Sequence, residues 1–172
     1  MPRLLVTPLS QLENAIAAHA PSHIVTLLSP GHMIETPSGF PGERHLKLGV
    51  NDIVDPTAGD APPVPDHIER LLAFSRGWDL SQPMIIHCWA GISRSMASAY
   101  AVLCDRLGPG SEEAIALAMR RRAPHAAPNR LLVRHADTVL ARDGRMIAAV
   151  ERMGEAAAAL EGVTTHFPLV DL

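Results

Sequence analysis

Apolar positions in this chain fall into short continuous runs in the first half and into helical stripes in the second. Arg3–Val6, His23–Leu28 and Pro83–His87 are runs of the length and composition of buried strands, and Arg44–Val50 alternates so that Leu46, Leu48 and Val50 face one way. Ser10-Gln11-Leu12-Glu13 reads as a capping box opening a short helix through about His19. Between Asp66 and Arg76, Ile68, Leu71, Leu72 and Ser75 share one stripe, which predicts a second helix. Further helices are expected over Met96–Leu107, Ser111–Arg122, Asn129 to about Ala141 and Asp143 to about Leu160, while the tail from Gly162 has too little pattern to place. Two stretches are loops by their proline and glycine content: Ser29–Pro41, and Asp52–Pro65, which is long enough to be functional.

Strands alternating with helical segments imply an α/β fold. The expectation is a single domain over 1–172, with a central, mainly parallel sheet of four to five strands, helices on both faces and a helical C-terminal half. Residues 161–172 are expected to form a loosely ordered tail. An apolar fraction of 47% supports a packed core, and a net charge of −3 offers no electrostatic footprint for nucleic acid. Arg120-Arg121-Arg122 reads as a solvated helix end, favoured by the negative end of the helix dipole. The N-terminus lacks the apolar segment of a signal peptide, and no apolar run reaches membrane-spanning length. Cys88 and Cys104, sixteen residues apart, make no disulfide framework, so the chain reads as cytoplasmic, with no membrane or nucleic-acid partner. One lysine, Lys47, among many arginines and alanines associates the chain with a GC-rich bacterial genome.

The segment from His87 to Ser95 carries the chemistry. Cys88 and Arg94 enclose Trp89, Ala90, Gly91, Ile92 and Ser93, between an apolar strand and a helix. A loop at such a turn can converge its backbone N–H groups on one anion, and the following helix adds the positive end of its dipole. A thiol there is favoured as the nucleophilic thiolate. Arg94 presents a planar fork able to hold two oxygens of a phosphoryl group, which a lysine could not do. Ser95 can direct a hydroxyl at the sulfur, and His87 reads as orienting the loop. Cys104 falls in step with Ala97, Tyr100 and Ala101, which is core packing.

His-Cys, five residues, Arg-Ser after a strand resembles the signature of the cysteine-based protein tyrosine phosphatases, with the closest likeness to small dual-specificity members. The resemblance implies a phosphatase acting through a phospho-cysteine intermediate, on phosphotyrosine and also phosphoserine or phosphothreonine proteins. It implies that Cys88 is the nucleophile, Arg94 the phosphate clamp and Ser95 the stabiliser of the departing thiolate, with Trp89 to Arg94 binding the substrate. Phosphate, sulfate or vanadate would occupy the same loop. Pro128-Asn129 before a helix resembles the family's segment in which the Asn supports the reactive loop, although an ordinary helix N-cap is an equal reading of Asn129.

The departing alkoxide or phenoxide needs a proton, and so a carboxylic acid from a neighbouring loop. Asp52 is the choice: it ends a strand, begins the long loop, and lies 36 residues before Cys88, a position comparable to that of the family's acid. Asp55, Asp60 and Asp66 compete, and turn capping is an ordinary role for an Asp in such a segment. The nine histidines show no zinc-ligand spacing, and neither a metal nor a cofactor is expected. Four other readings remain: a phosphoinositide, nucleotide or RNA-end phosphatase; a non-catalytic phosphate-binding module; sulfur transfer by a rhodanese-like loop; and a small phosphomonoester as substrate. Lipid phosphatases of the family tend to carry lysines inside the loop, and none stands between Cys88 and Arg94. An aromatic wall would favour tyrosine; Trp89, Phe40 and Trp78 are the candidates, with His32 a further loop residue that could line the pocket.

Overall fold

The computed structural model of the chain describes residues 2–170 and 172. The apolar runs form β1 (Arg3–Pro8), β2 (His23–Leu28) and β4 (Met84–Cys88), and the alternating run forms β3 (His45–Gly49). These strands are mutually parallel, in the order β3-β2-β4-β1. A fifth strand, β5 (Thr165–Pro168), pairs antiparallel with β1 and completes the sheet. The tail was expected to be loosely ordered; instead Phe167 sits fully buried opposite Leu4. Four residues ending in proline carry too short an alternation to be read without their partner strand.

Continuous apolar runs place side chains on both sides of the sheet, and the two sides differ in depth. On one, Leu5, Ile24 and Ile85 are covered by Leu12 and Ala15 of α1 (Leu12–His19), with Ile34 and Phe40 of the following loop packed alongside. On the other, Leu4, Val6, Val25, Leu27 and Ile86 meet α2 (Pro65–Arg76), α3 (Arg94–Leu107), α4 (Glu112–Arg122), α5 (Arg130–Val139) and α6 (Arg145–Arg152). Helices cover both faces, one of them with a single short helix. α3 is buried from Arg94 to Cys104, and its small residues Ala97, Ser98, Ala99 and Ala101 let it lie close to its neighbours on every side. Burial pushes the Cys104 thiol up to about 12, so this cysteine is an inert packing residue.

Two local expectations fail for stated reasons. Ser10 does not cap α1: its hydroxyl bonds the Glu161 carboxylate, and a 3-10 turn over Leu9–Gln11 precedes the helix. The last helix ends at Arg152 rather than near Leu160, because Gly154 adopts a left-handed φ of 72°. The alanines beyond have helical propensity but no stripe to bury, and Leu160 is fully exposed, so propensity alone does not extend the helix. Ala157 N–H instead bonds the Pro124 carbonyl at 2.9 Å, and the segment runs on toward the end of β4.

Candidate active site

Cys88 is the last residue of β4 and Arg94 the first of α3, so five residues make the turn between them. Four carbonyls of this turn are held from outside. Trp89 O accepts from Leu9 N (3.1 Å), Ala90 O from Gly162 N (2.8 Å), Ile92 O from Ala127 N (3.0 Å) and Ser93 O from Asn129 N (3.2 Å). With the carbonyls turned outward, the amides between them face the opposite side, where α3 begins, which is the arrangement of an anion nest. Gly91 makes the turn possible. Its φ is +69°, and a Cβ there would lie 2.7 Å from Pro8 N and 3.0 Å from the Thr7 carbonyl carbon, atoms of β1 that cannot move aside. Gly162 serves the same end from the other chain segment: a Cβ on it would meet His125 Nε2 at 2.7 Å and the Gly91 carbonyl at 3.0 Å.

Cys88, Trp89, Ala90, Ile92, Ser93, Arg94 and Asp52 line one cavity of about 290 Å³. Cys88 is buried at its floor, with Sγ 3.1 Å from Ser95 Oγ. Arg94 is buried, donates from Nη1 to the Val50 carbonyl at 2.9 Å, and holds Nε buried with no partner within the protein. A buried guanidinium N–H left unpaired is an opening for an anion, because leaving it unsatisfied costs more than a typical net hydrogen bond contributes.

Asp52 lines the same cavity. Its Oδ1 accepts from Ser93 Oγ at 2.7 Å and from Asn129 Nδ2 at 2.9 Å, which ties the long loop to the reactive turn. Asn129 joins three elements: Oδ1 caps α5 by accepting from Leu131 N and Leu132 N, Nδ2 also bonds Ile53 O, and its own N–H holds Ser93 O. The side chain is thus the N-cap of α5 and a tie to the long loop, while the reactive turn is bonded by the Asn129 backbone N–H. The base of the long loop is closed by Asn51, whose N–H bonds Ala61 O at 2.7 Å and whose Oδ1 accepts Ala61 N at 2.8 Å. Asp55 is fully solvated and turned back on Thr57, whose hydroxyl and N–H hold its carboxyl below the usual range. That is a turn-capping Asp; neither it nor Asp60 lines the cavity.

Of the aromatic candidates, Trp78 is buried with Nε1 on the Gln82 carbonyl, and Phe40 packs on the α1 side of the sheet. Trp89 is 56% exposed at the cavity edge, and the His32 ring meets it edge-on at 5.6 Å. With Leu28, Ser29 and Arg94 they line an adjoining cavity of about 220 Å³. His87 is wholly buried behind the turn, with Nε2 2.6 Å from Thr26 Oγ1. Sequence reading missed the Val50 carbonyl on Arg94, the strap through Gly162, and the Thr26 contact. Each is a meeting of residues distant in sequence, the Thr26 contact set by strand register; the one local signal available was the glycine pair Gly91 and Gly162. Among the described residues, no group of three or more His, Cys, Asp or Glu side chains is placed to hold a metal ion, and no helix is long and apolar enough to cross a membrane.

No family model and no curated protein sequence matches this chain. Solved structures do. The human tyrosine phosphatase-like serine/threonine/tyrosine-interacting protein is 21% identical, with 82% of this chain and 93% of that chain covered at a TM-score of 0.64. DUSP15 is 20% identical over 91% of this chain and 96% of its own, at 0.58. The Yvh1 phosphatase domain from Chaetomium thermophilum is 21% identical over 83% and 93%, also at 0.58. These likenesses establish the architecture: the chain has the fold shared by these dual-specificity phosphatase structures.

Proposed function

We propose that the protein hydrolyses phosphomonoesters on proteins through a phospho-cysteine intermediate, with phosphotyrosine as the preferred substrate. The observation that carries the reading is Cys88 Sγ 3.1 Å from Ser95 Oγ at the floor of a cavity that Arg94 and Asp52 also line. In the first step the Cys88 thiolate attacks phosphorus, the bond to the leaving oxygen breaks, and Asp52 gives that oxygen its proton. Asp52 suits this because Oδ1 takes both hydrogen bonds, so that Oδ2 is left to carry and deliver the proton. Arg94 Nε and the turn's amides hold the phosphoryl oxygens as charge shifts between sulfur and leaving group. In the second step water attacks the phospho-cysteine, Asp52 takes back a proton, and Ser95 donates to the departing thiolate. No cofactor enters either step.

Trp89 and His32 support the tyrosine preference, since an exposed indole beside the phosphate site gives a phenyl ring a face to stack on. The turn holds no lysine or arginine before Arg94, so it supplies no extra charge for a polyphosphorylated headgroup. A catalytic thiol also suits a reducing cytoplasm. The test compares kcat/KM for a phosphotyrosine peptide, a phosphothreonine peptide, an inositol phosphate and a small aryl phosphate. The expected order places phosphotyrosine first, with Trp89→Ala lowering it by roughly 3- to 10-fold while the phosphothreonine value moves less. Activity on none of the four, or metal-dependent activity, would overturn the reading.

A further inference from the structure

Cys88 closes β4, so the reactive turn stands at the carboxyl ends of the parallel strands, and their amino ends form the opposite end of the sheet. From Met84 to Cys88 is about 13 Å of strand at ~3.3 Å per residue. At that far end Arg3, the first residue of β1, is opposed to Pro168, the last of β5, and Leu5 is opposed to His166. Side chains two residues apart on a strand share a face, so Arg3 and His166 stand on the face of Leu5, which α1 covers. His19, at the end of α1, meets the His166 ring edge-on at 4.9 Å. Arg122, the last residue of α4, arrives from the helices on the other face of the sheet. Arg3, Arg122 and His166 line a cavity of about 520 Å³, closed by Pro83, Pro168 and the segment before β4.

No acidic side chain lines this cavity, and among the described residues no carboxylate comes within ion-pair distance of Arg3 or Arg122. Asp79, close in sequence to the segment before β4, is turned back on Ser81, whose N–H and hydroxyl donate to it at 3.0 and 2.7 Å. The basic triplet at the end of α4 is divided in its roles. The Arg120 guanidinium is taken up by the carbonyls of Pro124, Ala126, Met153 and Gly154, whereas Arg122 is open to the cavity. The cationic groups act on one another across it: burial first, then His19, Arg3 and Arg122, lower the pKa of His166. Like charges gathered round a half-buried ring repel, and an anion entering the cavity reverses that repulsion.

We propose that this cavity is a second anion site, separate from the reactive turn, which takes a phosphate-bearing small molecule with two or more negative charges. Two guanidinium forks present more N–H donors than the two oxygens of a carboxylate can accept in one plane, and the three oxygens of a phosphoryl group suit them better. The volume is that of an ordinary small-molecule pocket, which leaves room for a second phosphoryl group or an organic body beside the first. Nothing in this site depends on what Cys88 does.

The test is a titration of the full chain with inorganic pyrophosphate at constant ionic strength, read by NMR at the imidazoles of His19 and His166. The parent should show a shift that saturates, with a midpoint on the order of 1 mM or below, and the His166 pKa should rise in the bound form because an anion favours the charged ring. The double variant Arg3→Gln with Arg122→Gln should bind at least about tenfold more weakly, and acetate should bind the parent at least about tenfold more weakly than pyrophosphate does. Arg122→Gln alone, at an exposed helix end, should weaken binding in the same direction and serves if the double variant does not fold. A shift that never saturates, one that sodium chloride reproduces at matched ionic strength, or folded variants that bind like the parent would overturn the proposal. Acetate binding as tightly as pyrophosphate would overturn the phosphate assignment. The readout is at the site itself, so a protein without phosphatase activity would overturn the functional reading and leave this result standing.

Discussion

That Cys88, Arg94 and Ser95 meet in space could be read from the sequence because they lie within eight contiguous residues, and a strand-to-helix turn brings contiguous residues together wherever the sheet lies. Asp52 could be read as the start of a breaker-rich loop, and its carboxylate is bonded by Ser93 and Asn129 and lines the same cavity as Cys88. His32 against Trp89 and the Val50 carbonyl on Arg94 were not legible, since neither has a local signature. If Asp52 is the acid, Asp52→Asn should slow hydrolysis of an unactivated alkyl or aryl phosphate by about 10²- to 10⁴-fold, and a substrate with a good leaving group much less. The basic limb of the pH profile should flatten in the same variant. Equal losses on both substrates with an unchanged profile would remove the role from Asp52. Arg94→Lys should fail on every substrate, because one ammonium cannot replace a fork that bonds Val50 O and still offers Nε to an oxygen; a near-parent rate would make Arg94 a structural residue.

At the scale of elements, strands and amphipathic helices could be read because burying one stripe or both faces leaves a periodic trace. β5 and the end of α6 could not. Four residues hold too little period for a strand, and the alanines after Gly154 carry propensity without a partner surface. The reactive turn depends on contacts from three other segments, through Leu9, through Ala127 and Asn129, and through Gly162. Gly91→Ala tests that dependence. The left-handed φ and a 2.7 Å approach to Pro8 N should cost on the order of 1–3 kcal/mol and shift the turn itself. The expected result is a lower melting temperature together with at least about a tenfold weaker competition by vanadate. Unchanged vanadate competition would mean that the turn forms without this approach to β1.

For the whole molecule, the buried histidines set the response to acid. Burial holds His45 and His87 at about 4, below the ordinary 6.5, so the unfolded chain binds more protons between those values and stability falls as pH drops through that window. The full effect is on the order of 3 kcal/mol per ring at most, which is several degrees of melting temperature for a chain of this size. Melting at pH 7.5 and pH 5 should show the drop, and His45→Phe should show a shallower one; equal melting at both pH values would mean that neither ring is held neutral by the fold. The central claim concerns covalent chemistry, and trapping tests it most directly. Acid quench of the Ser95→Ala variant during turnover of an aryl phosphate, followed by mass spectrometry of the intact protein and its peptides, should show one phosphoryl group on Cys88, because the second step has lost its donor to the departing thiolate. Turnover with no phosphoryl group on Cys88, or with one on another residue, would contradict the account.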